Sequence, residues 1–339
     1  MTEISIALPT YNGGRYLRTL IDSLLDQTRL PDEIVVCDDN STDGTVLIAK
    51  EYQKEYPDIF NIYENSDNVG AFKNFERAFR NCSGDFIAVC DQDDYWKKTK
   101  IEKQERRLES NRRALLCYHN SEFHDQDLES MNKYLWDLQN VEPSSITSHQ
   151  KLTQRLAQSN FIQGASMMFR KSLLETVLPV PRKVPYDYWI AIVSHCFGPV
   201  EIIDESLIKW RRHPNTDTST VVPNDSYFHQ FIKSIYDITR TPIDKTVQHT
   251  KEWENQMNEF VKRFDELNKN RFCVDPYPIK NKLIRRKNYY SYRTQVRTQP
   301  INKSVLAQIV LFKTGLYHEF GNITDVTQDV FDLFINRWY

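Results

Sequence analysis

The chain has 339 residues, 40% hydrophobic and 12% aromatic, enough for one large or two ordinary domains around a substantial core. Its 44 basic and 46 acidic residues leave a formal net charge of -2, which excludes a global field for nucleic acid or for an acidic substrate. The N-terminus MTEISIALPTYNGG lacks a basic segment ahead of an apolar one, and no apolar run approaches the roughly 18–20 residues that span a bilayer, so a cytosolic location is expected.

The first elements alternate. Apolar β-rich runs at 4–8, 33–37, 60–63, 86–90 and 114–118 are separated by amphipathic helical patterns at 16–27, 45–56, 71–82 and 99–110. Strands that are apolar throughout, with helices between them, predict an α/β fold whose mostly parallel central sheet is flanked by helices. From about Asn120 to Gln150 the pattern dissolves into a polar, Trp-containing excursion or lid. Regular structure resumes near Leu152, with strand then helix over 161–175, a helix over 186–197 and an extended run over 200–213. After about Asn224 the texture becomes helical and aromatic, which divides the chain into 1–223 and a mainly helical C-terminal region, 224–339.

Within that region, 280–297 holds seven basic residues, no acidic one, and Tyr289, Tyr290 and Tyr292. Such a segment suits peripheral contact with an anionic membrane, and equally a solvated face or a homo-oligomer contact. No nucleic-acid module accompanies the charge, so nucleic acid is not an expected partner. The six cysteines, at 37, 82, 90, 117, 196 and 273, have no CxxC spacing and read as reduced, buried or inert thiols.

In an open parallel sheet the ligand site lies beyond the carboxyl ends of the strands. That rule selects PTYNGG, DDNSTDG, ENSDNVG and DQDDYW, which follow the first four predicted strands. Two of them are acidic, Asp38-Asp39 and Asp91 to Asp94, and carboxylates gathered in one cleft need protons, cations or hydrogen-bond donors. The DxD spacing of Asp91-Gln92-Asp93 suits a hard divalent ion, Mn²⁺ or Mg²⁺, completed by substrate phosphates and water. Asn40, Ser41 and Asp43 read as turn and cap residues, an account that leaves Asp38 and Asp39 unexplained; one of them could accept a nucleobase N–H. Asp187 stands in the first turn of a predicted helix, where the backbone N–H groups favour a carboxylate whatever its role. Trp189 and Trp210 read as packing residues, and Gly164 as a turn or a close backbone approach.

The four motifs ALPTYNGGRYLRTLIDSLLDQT, EIVVCDDNSTDGT, NVGAFKNFERAF and GDFIAVCDQDDYW resemble, in order, those of a family 2 glycosyltransferase with the GT-A fold. The resemblance covers about Ile4 to His213, and DQDDYW, YDYWIAIVSHCFG and WRRHPN look most like the bacterial rhamnosyltransferase branch that builds surface polysaccharides. It implies that Pro9, Thr10, Tyr11 and Asp39 bind the base, with Tyr11 as a stacking surface, and that Asn68, Gly70 and Lys73 lie beside the sugar diphosphate. It assigns Asp93 and Asp94 to ribose and metal, with Asp91 opening the DxD, and Asp187 to the general base. His213, with Arg211 or Arg212, matches a late motif that holds metal and diphosphate. Tyr186 and Pro214 stand where the branch commonly has His and Gly, which bears on donor and acceptor identity.

The function so implied is inverting, metal-dependent transfer of a sugar from a nucleotide-diphosphate donor, first deoxythymidine-diphosphate rhamnose, to a glycan or polyprenyl-linked acceptor. The alternatives are a uridine-diphosphate hexose donor in the same family, and a non-catalytic sugar-nucleotide or polysaccharide-binding subunit.

Overall fold

The computed structural model describes residues 2–182, 184–213, 243–267 and 269–298, and the single positions 307, 308, 311 and 316. Its first half is built on four parallel strands, β1 (Ile4–Thr10), β2 (Glu33–Asp38), β3 (Phe60–Glu64) and β4 (Phe86–Val89), in the order β3-β2-β1-β4. Every residue of β1 is buried, the polar Ser5 and Thr10 included, because helices cover both faces. The covering helices are α1 (Gly14–Leu25), α2 (Thr45–Glu55) and α3 (Ala71–Asn81). On α1 the inward stripe is Leu17, Leu20, Ile21 and Leu24, the spacing of one helix face. Thr10 pairs with Asp38, and Asp38 with Glu64, so the first three strands end flush and their loops collect on one edge.

Beyond β4 the sheet is mixed. It continues through β5 (Tyr95–Trp96), α4 (Lys100–Ser110), β6 (Leu116–His124), β7 (Ser130–Tyr134) and α5 (Leu135–Leu138). The helix α6 (His149–Gln158), β8 (Met168–Arg170), α7 (Leu174–Val177), α8 (Tyr186–Phe197) and β9 (Val200–Arg211) follow. The strand order β4-β8-β6-β9-β5 carries β7 on β6, and β9 runs parallel to β6 but antiparallel to β5.

The excursion expected from about residue 120 is largely this β6–β7 hairpin and the short helices after it. No clean period of two shows in the sequence because β6 buries the polar His119, Ser121 and His124 and its register shifts along the strand. Ser121 has a partner far along the chain, its Oγ donating to Gln163 Oε1 at 2.9 Å, whereas the rings of His119 and His124 meet the nearby carbonyls of Asn120 and Leu128.

The helices α9 (Ile243–Glu266) and α10 (Pro276–Thr298) pack on each other, and α10 packs on α6. Met257, Phe260, Phe264 and Leu283 share one continuous core with the sheet. The boundary expected near residue 223, and Pro214, lie outside the described residues. From Pro278 to Gln295 every side chain is buried or half-buried. Tyr289 is in a core cluster, Tyr290 stacks on Trp253 at 5.5 Å, and the Arg286 guanidinium lies 5.3 Å from the Tyr188 ring. Tyr289, Tyr290 and Arg286 of the basic and aromatic segment thus turn to the protein. Among the described residues no helix is long and apolar enough to cross a membrane. Five cysteines are buried, and Cys273 is exposed.

One buried side chain docks α3 onto the strand ends. Asn74 Nδ2 donates to the carbonyls of Cys37 at 2.7 Å and Thr10 at 3.3 Å, while its Oδ1 accepts from Asn65 at 3.1 Å. Replacing Asn74 by Ala removes those donors from a buried site, a loss of about 1–3 kcal/mol. A chemical denaturation midpoint equal to that of wild type would contradict this docking role.

Candidate active site

The four loops at the carboxyl edge are sewn to one another by polar groups. Gln92, the middle residue of the DxD, pairs its amide with the Tyr11 backbone: Tyr11 N–H donates to Oε1 at 2.8 Å, and Nε2 donates to the Tyr11 carbonyl at 2.9 Å. A Cβ at residue 13 would stand 2.3 Å from Gln92 Oε1, so this contact accounts for Gly13. Asn12, in the left-handed region at φ 46°, accepts from Thr42 N–H at 2.9 Å, and its own N–H donates to Ser41 Oγ at 2.9 Å. The Gly14 N–H reaches Asp43 at 3.0 Å. Above this frame the Tyr11 side chain is 47% exposed, and Pro9 is a buried β1 residue paired with Cys37.

Asp38 is held by its own turn and by Thr10, and Asp39 by tertiary partners. Asp38 accepts from Thr10 Oγ1 at 2.8 Å and from the N–H and hydroxyl of Ser41 at 2.8 and 2.6 Å. Asp39, 2% exposed, accepts from the N–H of Val69 at 2.8 Å, the N–H of Gly70 at 2.8 Å and Asn65 Nδ2 at 2.7 Å. That brings the loop before α3 onto Asp39, with Asn68 and Lys73 both exposed. Gly70 has φ 86°, a conformation other residues rarely adopt, and sits at the N-cap of α3.

Asp91, Asp93 and Asp94 divide sharply. Asp94 is fully buried and accepts from the Arg211 N–H at 3.1 Å and from Gln163 Nε2 at 3.3 Å. Asp91 is half-buried and accepts from the same Gln163 amide at 3.3 Å and from the Tyr186 hydroxyl at 3.5 Å. The Ser121 hydroxyl, held on Gln163 Oε1, orients that amide so that its N–H groups face the carboxylates. Asp93 instead meets His213, Oδ2 to Nε2 at 2.8 Å. The sheet makes this contact: β5, directly after the acidic turn, pairs with β9, whose end carries Arg211 and then His213.

Arg211 is 4% exposed, donates from Nε to the Asp93 carbonyl at 2.6 Å and lies 4.5 Å from the centre of the Tyr16 ring, so it holds the turn's backbone. Arg212 lies over Trp210 at 5.3 Å. Trp189 and Trp210 are both buried, as expected of packing residues.

Asp187 opens α8, half-buried, with its Oδ1 accepting from the Tyr188 N–H at 2.6 Å. Burial pushes its carboxyl up to about 6. Burial also raises Asp91 and Asp94, with like-charge repulsion added: Asp93 and Asp187 act on Asp91, and Asp93 and Asp91 on Asp94. Asp187 is thus electrostatically part of the acidic cluster. Tyr186 stacks on Phe75 with ring centres 3.9 Å apart. A Cβ at residue 164 would stand 2.0 Å from its hydroxyl, so the close approach that Gly164 allows is to Tyr186.

Among the described residues no three His, Cys, Asp or Glu side chains form a group that could hold a metal ion. Asp93 and His213 come as a contacting pair beside carboxylates short of positive charge. This donor set fits a hard divalent cation that takes two ligands from the protein and the rest from diphosphate oxygens and water. Gln92, Gln163, Ser121 and Asn65 carried no readable signal in the sequence, since uncharged polar residues in loops and strands are common and their partners here are distant.

The family model for glycosyl transferase family 2 matches residues 5–178, just over half the chain. An uncharacterized protein of Mycobacterium tuberculosis is 28% identical over 212 residues, covering 62% of this chain. The chain spans 59% of that relative's length. The dTDP-rhamnosyl transferase RfbG of Shigella flexneri is 38% identical over 98 residues, covering 28% of this chain and 34% of its own. Among solved structures, residues 1–349 of TarS from S. aureus, in complex with UDP, align with a TM-score of 0.55 at 14% identity, covering 99% of this chain and 91% of that one. The fold is that of the GT-A glycosyltransferases, mixed α/β with a helical C-terminal region. The chain belongs to glycosyl transferase family 2.

Proposed function

We propose that the protein is an inverting glycosyltransferase of polysaccharide synthesis, using a nucleotide-diphosphate sugar and a glycan or polyprenyl-linked acceptor. One observation carries this reading: the Asp93–His213 pair lies in the same acidic cluster as Asp187, a half-buried carboxyl raised toward neutral pH. Deoxythymidine-diphosphate rhamnose is the first donor to test, supported by the DQDDYW motif and by the partial likeness to RfbG.

In the proposed reaction the acceptor hydroxyl gives its proton to the Asp187 carboxylate. Its oxygen forms a bond to the anomeric carbon as the bond from that carbon to the diphosphate oxygen breaks, on the opposite face. A base raised to about 6 remains largely ionised at neutral pH while keeping more proton affinity than an ordinary carboxylate. Asp93 and His213 would hold Mn²⁺ or Mg²⁺, which when bound supplies positive charge beside the departing diphosphate. Tyr11 offers an exposed ring for the base, and Lys73 an exposed ammonium beside the loop that matches the diphosphate motif. Positioning by these groups contributes much of the rate.

The acidic cluster is held at a cost in stability. The Asp91 carboxyl, pushed up to about 7, binds its proton more tightly in the folded chain than in the unfolded one, so its favourable contribution is complete below about pH 4 and lost as pH rises through 7.

Asp187→Asn is expected to fold normally and to lose roughly 10² to 10⁴ in turnover, the share of a general base; retention of most activity would remove Asp187 from that role. A thermal-shift screen of dTDP-, UDP- and GDP-sugars, with and without Mn²⁺, should find one that stabilises the protein only with the cation. No stabilisation by any of them would count against the function, and a uridine-diphosphate hexose as best ligand would replace rhamnose. In metal-free buffer at pH 7.5, Asp91→Asn should raise the melting temperature by roughly 2–4 °C, and the gain should vanish near pH 4. A destabilised variant at pH 7.5 would contradict the charge-repulsion account.

A further inference from the structure

We infer that Asp39 is a positioning residue for the diphosphate side of the site, tethering the segment 65–73. The inference rests on the glycosyltransferase reading for its function, but the tether itself is geometric. The family resemblance assigns Asp39 to the nucleobase, yet the carboxylate is 2% exposed and its bonds run sideways, to the next loop. Oδ1 accepts from the Val69 N–H at 2.8 Å and from Asn65 Nδ2 at 2.7 Å, and Oδ2 from the Gly70 N–H at 2.8 Å. Two adjacent backbone N–H groups on the two oxygens of one carboxylate form a charge-assisted clamp, stronger than a neutral pair.

The clamp lies where the chain turns into α3. Gly70, at φ 86° and ψ 154°, presents its N–H to Asp39 and starts the helix, so the conformation reserved for glycine and the carboxylate bond depend on each other. Nothing lies within 4 Å of a Cβ built at this position, so Gly70→Ala perturbs the backbone conformation without filling space. Behind the clamp, Asn65 also donates to Asn74 Oδ1 at 3.1 Å, and its own Oδ1 accepts from Arg77 on α3. The exposed Asn68, Val69, Phe72 and Lys73 ride on this segment. Asp39 is therefore bonded to the diphosphate-side loop while standing one residue beyond β2, at the nucleoside side.

A carboxamide at 39 keeps one acceptor but turns an NH₂ toward one of the backbone donors, and so breaks half of the clamp. Hydrogen exchange on the metal-free protein should show the Val69 and Gly70 amides protected in wild type, and at least about tenfold faster in Asp39→Asn. With Mn²⁺ present, affinities for the nucleotide that binds best among UDP, dTDP and GDP should fall about tenfold in Asp39→Asn, about tenfold in Gly70→Ala, and little further in the double variant. A side chain that touched only the base would give losses that multiply, about a hundredfold in the double variant, which overturns the inference. Fast exchange at Gly70 in wild type overturns it as well, even if Asp39→Asn fails to fold. If wild type binds none of these nucleotides, the glycosyltransferase reading falls, and the exchange rates alone decide the tether.

Discussion

Burying carboxylates at the carboxyl edge of a parallel sheet is the constraint from which the rest of this structure follows. A carboxylate taken from water needs N–H or O–H donors, a counter-charge or a proton. The chain puts Asp38, Asp39, Asp91, Asp93, Asp94 and Asp187 at the edge where β1, β2, β3 and β4 end. Each connection on that edge is shaped by the donors it brings.

The aspartates are compensated in two different ways. Asp38 and Asp39 together accept six short hydrogen bonds, three of them from the loop after β3 and one from Thr10 at the end of β1, and serve as structural ties. Asp91 and Asp94 share one amide, that of Gln163, and repel each other and Asp93. The first pair stiffens the frame. The second group retains excess negative charge in a fixed place, which the proposed function would use for a cation and a diphosphate, and Asp187 lies close enough to add to that charge.

Long-range topology joins the halves. The last strand, β9, returns beside β6, pairs with β5, and so delivers Arg211 and His213 to a turn about 120 residues earlier in the chain. That return supplies the His213 ring that meets the Asp93 carboxylate. The C-terminal helices add packing behind α6 and α8, and their basic residue Arg286 is bonded to the Tyr188 hydroxyl at 3.1 Å.

The sequence by itself determined the βα alternation, the edge on which the proposed site lies, and the charged residues that collect there, because apolar periodicity and the ends of strands are local properties. DQDDYW, PTYNGG and DDNSTDG were legible for that reason, and family order linked them to Asp187 and His213. Only the tertiary structure decided what each carboxylate does. Asp38 and Asp39 look alike in sequence to Asp91 and Asp93, yet the donors that distinguish them are backbone N–H groups of Val69 and Gly70, the Gln163 amide and the His213 ring. The β6–β7 hairpin was hidden likewise, since β6 buries polar residues and its register shifts break the strand period, and the partner of Ser121 lies 42 residues away. Hydrogen bonds reach across the chain at no characteristic spacing, so a side chain's partner is known only when the fold has closed.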